Sequence, residues 1–141
     1  MTESYKMRAR ALGFGLTALL VAGLLVAGLL VVGGWPPAAA AQVSFKEDVF
    51  PIIELRCLGC HQPGGKGYER SGLDMRTYEG LMKGTKYGSM ITPGSWVESN
   101  LLAVIDRRTA PETWMPHNKK RLSKCERLTF RHWVMQGARN N

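Results

Sequence analysis

Residues 57–61 read Cys-Leu-Gly-Cys-His, and this short pattern limits what the chain can fold into more than any other feature. Two thiols spaced three positions apart point to the same side of a helical turn. The imidazole of His61 follows directly, so three metal- or carbon-reactive groups arise from one turn. The chain has 3 cysteines, and this pattern uses Cys57 and Cys60 but leaves Cys125 over.

The pattern Cys-x-x-Cys-His is the attachment signature of c-type haem. The thiols of Cys57 and Cys60 can each add to one of two vinyl groups on one edge of the macrocycle, and His61 can bind the iron as proximal ligand. A thioredoxin-type dithiol would need a βαβ surround, and structural zinc would need a second close pair, which His117 and Cys125 do not form. The sequence therefore predicts one covalently attached haem c, with Cys125 as an inert thiol.

A sixth iron ligand would have to come from elsewhere in the chain. Met115 lies in Trp-Met-Pro, where the proline stiffens a segment that can fold back over the haem before the last helix. His117 is the main alternative and would lower the reduction potential, because His/Met ligation raises it. A vacant sixth position is the third alternative. The remaining methionines considered are assigned to gap-filling or to the last helix: Met75, Met82, Met90 and Met135.

The N-terminal part of the chain has the pattern of a membrane anchor. Residues 1–10 are basic, and residues 11–33 carry no charge and could cross a bilayer as a helix. The basic residues precede the apolar tract, which predicts a cytoplasmic N-terminus and an extracytoplasmic, periplasmic remainder. A cleaved signal peptide with Ala39-Ala40-Ala41 at the cleavage site is the alternative. We expect a retained transmembrane helix, then a linker at 34–43 and a single domain at 44–141.

The net charge of +8 points to an acidic partner. No recognition-helix, zinc-finger or RNA-binding pattern is present, so nucleic acid is not expected. A basic cluster next to Met115 could form a rim that steers an acidic redox protein, or could be a solvated face: Lys119, Lys120, Arg121, Lys124 and Arg127.

The two ends of the domain carry helix-start signals. Ser44 and Glu47 have capping-box spacing ahead of a helix that leads into Cys57. Ser123 and Glu126 have the same spacing before the last helix. Three apolar residues of that helix are spaced to face the core: Phe130, Trp133 and Val134. Gly137 continues the same spacing at i+7 and suits the C-terminal end of the helix.

The middle of the chain is less regular. Residues 62–94 are rich in glycine and predict a loop with one short helix around 78–82, ending in a turn at Pro93-Gly94. Ser99 could cap another short helix, and residues 107–122 are irregular. No alternating strand pattern occurs, so an all-α domain is expected.

With these motifs placed, the chain resembles a class I cytochrome c, and more narrowly the planctomycete-type cytochrome c domains, over residues 45–138. The resemblance implies a small all-α fold whose N- and C-terminal helices cross around one haem, with Cys57, Cys60, His61 and Met115 as haem residues. His117 stands where the family commonly has a second proline. The shared segments are Val49–Ile52, Arg56–His61, Ser71–Thr77, Thr92–Ser95 with Ser99–Leu102, Met115-Pro116, Leu122-Ser123, Trp133-Val134 and Gln136–Ala138.

The resemblance implies an electron carrier rather than an enzyme. Such a domain would pass single electrons between extracytoplasmic redox partners at the membrane surface. One alternative is a haem c subunit of a larger membrane redox or photosynthetic complex, which the predicted anchor would favour. Another is a haem-based gas or redox sensor, which would need a vacant or displaceable sixth position.

Overall fold

The computed structural model describes residues 41–141, so the predicted tail at 1–10, the anchor at 11–33 and most of the linker lie outside the described residues. Within residues 41–141 there is no strand, and the expected all-α class is confirmed for this range. None of the helices in that range is long and apolar enough to cross a membrane. The helical elements are a π-helical turn Phe45–Val49, α1 Phe50–Arg56, α2 Lys66–Ser71, α3 Tyr78–Lys83, α4 Asn100–Ile105, a 3₁₀ turn Pro111–Thr113 and α5 Lys124–Met135.

The first helical segment begins at Ser44 as predicted, but its reciprocal cap differs. The Ser44 hydroxyl accepts a hydrogen bond from the Glu47 N–H at 3.1 Å. The Ser44 N–H donates to the carboxylate of Asp48 at 2.8 Å, and not to Glu47. The turn is widened to a π-helical pattern, in which the Val49 N–H donates to the Ser44 carbonyl at 3.2 Å. A carboxylate four residues on, rather than three, therefore reaches back to the cap.

The widened turn also explains how Pro51 fits near the start of a helix. Proline has no N–H, and within a regular helix its ring clashes with the carbonyl four residues earlier. Pro51 lies in the first turn of α1, directly after the π-helical turn that ends at Val49. The chain therefore continues without a break to Arg56 and delivers Cys57 at the helix end.

Two short helices lie in the region predicted to be mostly loop. Helix α3 matches the expected short helix and is capped by Thr77, whose hydroxyl accepts the Gly80 N–H at 3.0 Å. Helix α2 was not predicted, because six residues that include Gly67 carry no amphipathic period. It ends at Gly72, which has a left-handed φ of 73° that favours glycine.

Ser99 occupies the position before α4 but does not cap it through its side chain. It is fully buried, and its hydroxyl donates to the Ser95 carbonyl at 2.7 Å. The same hydroxyl accepts the Thr92 N–H at 3.0 Å. Ser99 therefore holds the Pro93-Gly94 turn against the start of α4, a role that its position in the sequence did not predict.

Helix α5 has both ends as predicted. Ser123 and Glu126 form a complete capping box, with side chain and backbone of each bonded to the other. At the far end, the Gly137 N–H donates to the Val134 carbonyl at 3.0 Å and the Ala138 N–H to the Trp133 carbonyl at 2.9 Å. This is a Schellman motif, and Gly137 supplies its left-handed residue with a φ of 98°.

The first and last helical segments pack against each other, in agreement with the resemblance. The ring of Phe45 lies 5.4 Å from Trp133 and 5.3 Å from Tyr78, centroid to centroid. Phe45 and Trp133 are almost fully buried, and each contributes about 2–3 kcal/mol by burial. The Lys46 N–H donates to the Asn141 carbonyl at 3.0 Å, and the Val43 N–H to the Gln136 side chain at 2.7 Å. These contacts form a clasp between the two ends of the domain, joining residues 43–46 to residues 133–141.

Candidate functional site

The Cys-x-x-Cys-His residues continue the turn of α1 beyond its last residue. The Cys57 N–H donates to the Ile53 carbonyl at 2.8 Å, and the N–H groups of Cys60 and His61 both donate to the Cys57 carbonyl at 3.0 Å. The two thiols and the imidazole therefore come from one tightly coiled segment. Cys57 is half-buried and Cys60 is exposed, and neither is in a disulfide.

This segment forms one wall of a cavity of about 610 Å³. That volume lies within the range of cofactor and ligand pockets, roughly 300–1,000 Å³. Cys57, Cys60 and His61 all line it, and so do Met115 and His117. The structure thus gathers every residue that the sequence proposed for the site. The apolar wall consists mainly of core residues: Leu73, Met75, Leu101, Val104, Ile105 and Leu122.

The surroundings of His61 favour its neutral imidazole form. Burial lowers the pKa of His61 below its usual value, and the nearby backbone of Leu73 partly opposes this shift. Nδ1 is buried and has no hydrogen-bond partner among residues 41–141. Nε2 lies on the side of Gly67, where a Cβ built on that glycine would stand 3.0 Å from it. A neutral imidazole with one nitrogen free is the form that binds a metal.

Gly67 of α2 lies directly against the His61 ring. A Cβ built on Gly67 would stand 2.8 Å from His61 Cε1 and 2.9 Å from the Cys60 carbonyl oxygen. The Tyr68 N–H donates to that same carbonyl at 2.9 Å. Helix α2 therefore presses on the attachment segment and fixes the imidazole. Nothing in the sequence marks Gly67, because its neighbours show no helical period and its backbone needs no positive φ.

The Cys57 thiol is a neutral group in the folded protein. Burial raises its pKa to about 12, and the neighbouring Arg56 only partly opposes the shift. The thiolate is the reactive form of cysteine, so the Cys57 thiol is a weak nucleophile in the folded protein.

Met115 and His117 differ in burial although both line the cavity. Met115 is half-buried, packs against the core, and its N–H donates to the Val104 carbonyl at 3.2 Å. The Met115–Pro116 peptide bond is cis. His117 is exposed at the mouth. The difference favours Met115 as the group that faces an enclosed ligand.

The other methionines occupy different surroundings. Met75 is almost fully buried in the core and lines the cavity floor together with half-buried Met90. Met82 packs against the core away from the cavity, and Met135 is 52% exposed on α5.

The predicted basic cluster divides into two groups. Arg127 pairs with Asp106 at 3.0 Å, and Arg121 donates to the Asp106 carbonyl at 2.6 Å. These two arginines are structural, so they do not belong to a free rim. Lys119, Lys120 and Lys124 are exposed, and Lys119 lies at the cavity mouth.

A cavity with an apolar wall, lined by two thiols and an imidazole from one Cys-x-x-Cys-His segment, is typical of c-type haem proteins. A sequence model of the family described as Planctomycete cytochrome C matches residues 57–117. The match begins at the first thiol and ends at His117, and it supports the cytochrome c family, whose members are haem-based electron carriers with covalent haem c. No curated protein and no solved structure gives a significant match to the chain.

Proposed function

We propose that this chain is a monohaem c-type cytochrome that passes single electrons between extracytoplasmic redox partners, and that it is not an enzyme. The observation that carries the proposal is the common cavity lined by Cys57, Cys60 and His61. We also propose the class I arrangement, in which the first and last helices cross, since those segments pack together through Phe45 and Trp133.

The residues of the cavity fit haem c. The thiols of Cys57 and Cys60 lie at one wall, and each would add its S–H across a vinyl double bond to give a thioether without a leaving group. His61 offers Nε2 as the proximal ligand. Bound there, haem c supplies one iron that can take up or release a single electron. The apolar wall excludes water and so reduces the reorganisation that accompanies each change of charge.

We assign Met115 as the sixth ligand and keep His117 as the alternative. Met115 is half-buried and tied by its backbone to Val104, whereas His117 is exposed. A thioether ligand from Met115 together with the His61 imidazole would raise the reduction potential of a bound haem, which suits a carrier that accepts electrons readily.

Absorbance spectra of the purified oxidised and reduced protein, with a denaturing pyridine assay, test the proposal. We expect a haem c signature that survives denaturation, together with the weak far-red iron–methionine charge-transfer band. Haem without that band would point to His117 or to an open sixth position, and rapid carbon monoxide binding would then favour a sensor. Absence of covalent haem in cells with the attachment machinery would overturn the proposal.

Gly67→Ala should disturb the proximal ligand. The added methyl group would stand 2.8 Å from His61 Cε1 and 2.9 Å from the Cys60 carbonyl oxygen, so the ring or the backbone of α2 must shift. We expect altered electron paramagnetic resonance signals of the ferric protein and a loss of about 1–3 kcal/mol in the free energy of unfolding. Gly59→Ala is the matched control, because a Cβ there meets no atom within 4 Å. Equal effects of the two substitutions would show that Gly67 does not position His61.

We propose an acidic redox protein as the partner, docking beside the cavity mouth. Leu55 is 80% exposed and borders a surface notch together with Lys120. The notch shares Arg56, Pro116 and Lys119 with the main cavity. An apolar contact with cations around it suits a transient complex with a negatively charged surface.

Replacing Lys119 and Lys120 by glutamine should slow association with an acidic electron acceptor. Two fewer exposed charges weaken steering, so the second-order rate constant should fall by about tenfold at low salt and depend less on ionic strength. Stopped-flow reduction of the acceptor measures both quantities. Lys46 and Lys83, also exposed but away from the cavity, supply the matched double substitution. The same loss in both double variants would remove the docking surface.

We further propose that residues 11–33 anchor the domain in the membrane, with the haem domain on the periplasmic side. The support is the uncharged tract with basic residues before it. Such an anchor also favours the alternative function, a haem c subunit of a larger membrane complex. Detergent extraction and purification separate the two, because co-purifying subunits support the complex and a lone monomer supports the free carrier.

A further inference from the structure

The segment that carries Met115 is tied at both ends to the last residues of α4. At its start, the Met115 N–H donates to the Val104 carbonyl at 3.2 Å. Further along, the guanidinium of Arg121 donates to the Asp106 carbonyl at 2.6 Å. Between them, residues 116–120 are exposed or half-exposed, and residues 116–119 line the cavity. The position of Met115 therefore depends on the end of α4 staying where it is.

Asp106 is the residue that fixes the end of α4. Its side chain is only 12% exposed, and its two carboxylate oxygens accept from Arg127 and Arg131 of α5, each at 3.0 Å. We call Asp106, Arg127 and Arg131 the Asp106 cluster. Arg127 also donates to the Leu122 carbonyl at 2.5 Å, so this cluster also holds the residue after Arg121. A carboxylate at a helix C-terminus is unfavourable with respect to the helix dipole, and the two guanidinium groups offset this cost.

The Asp106 cluster also packs against Trp96. The Arg131 guanidinium lies 4.4 Å from the centroid of Trp96, and that of Arg108 lies 4.9 Å from it. Arg108 also donates to the Trp96 carbonyl at 3.1 Å. Arg131 is thus held between an aromatic ring and Asp106, which restricts its rotamers and keeps the ion pair in one geometry.

We propose that Asp106 is a positioning residue for the sixth ligand: its carboxylate holds Arg127 and Arg131 of α5 against the end of α4, where its backbone carbonyl accepts from Arg121, and so keeps the Met115 segment over the cavity. The proposal rests on Met115 being that ligand. Asp106 does not line the cavity. Its effect is on the balance between a methionine-bound iron and one whose sixth position is open.

The test uses Asp106→Asn in the full haem-loaded chain. An amide keeps the size but loses the charge, and it can accept at only one of its two positions. We expect the ratio of methionine-bound to open protein to fall by about tenfold, because breaking a largely buried ion pair leaves its partners uncompensated. The far-red charge-transfer band should weaken, carbon monoxide should bind the ferrous protein faster, and the reduction potential should fall. Asp106→Glu should restore most of the band, since it keeps both acceptors.

Arg76→Gln is the control, because it breaks the exposed Arg76–Asp74 pair elsewhere in the domain and should leave the band unchanged. Circular dichroism on the same samples measures folding. If Asp106→Asn is too unstable, Arg131→Gln removes one of the two ion pairs of the Asp106 cluster and should show the same changes to a smaller degree. A wild-type band and potential in these variants, or a band lost only in step with unfolding, would overturn the inference. A missing band in the unmodified protein would instead refute ligation by Met115.

Discussion

Cys57→Ala combined with Cys60→Ala is expected to abolish covalent haem attachment, taking the chain from about one haem to none. Each thiol forms one thioether, so either single substitution should leave a chain attached by one bond and in lower yield. Mass spectrometry of the denatured protein measures the haem mass directly, and haem staining after denaturing electrophoresis gives the yield.

Cys125→Ala is the matched control for the double substitution. Cys125 is exposed on α5 and does not line the cavity, so its removal should leave full haem content. Covalent haem that persists without Cys57 and Cys60, or that disappears with Cys125, would contradict the assignment of the attachment pair.

Met115→Ala is expected to remove the iron–methionine band and to lower the reduction potential. Axial ligands shift haem potentials over a range of ~0.8 V, so loss of the thioether should cost on the order of 0.1 V or more. Protein-film voltammetry measures the potential, and the oxidised spectrum reports the band. The fold should survive, because Met115 is half-buried and its backbone bond to Val104 does not depend on the side chain.

His117→Ala separates the two candidate ligands. It lies two residues from Met115 on the same segment, at an exposed position. If Met115 is the ligand, His117→Ala should leave the band and the potential at wild-type values. If the His117 substitution changes both quantities and the Met115 substitution changes neither, the two assignments are reversed.

The sequence predicted the helices whose signals are local. Ser123 and Glu126 satisfy each other within one turn, and Gly137 adopts a conformation that favours glycine, so both ends of α5 follow from residue type alone. The cap at Ser44 was only half right, because the π-helical turn moves the reciprocal carboxylate to Asp48. A widened turn leaves no mark in a spacing rule that assumes 3.6 residues per turn.

The candidate site divides in the same way. Residues Cys57, Cys60 and His61 could be predicted because they form one short motif, Cys-x-x-Cys-His, within five residues. Gly67 and Asp106 were missed because their roles depend on partners that the fold brings together: the His61 ring for Gly67, and two arginines of α5 for Asp106. Arg121 and Arg127 were grouped with free lysines for the same reason, since charge along a sequence does not reveal which cations are already paired.

The clasp between the two ends of the domain has a consequence for the order of events during biosynthesis. The bond from Val43 to Gln136 closes a stretch of 93 residues, and such long-range closures cost chain entropy and form slowly. Helix α5 is also synthesised after the segment that carries the thiols. Until it arrives, the thiols lie on an open chain, and afterwards Cys57 is half-buried with its pKa raised to about 12. If haem is attached to these thiols, we expect the attachment to precede this closure, and a domain that closes too early to be a poor substrate for it.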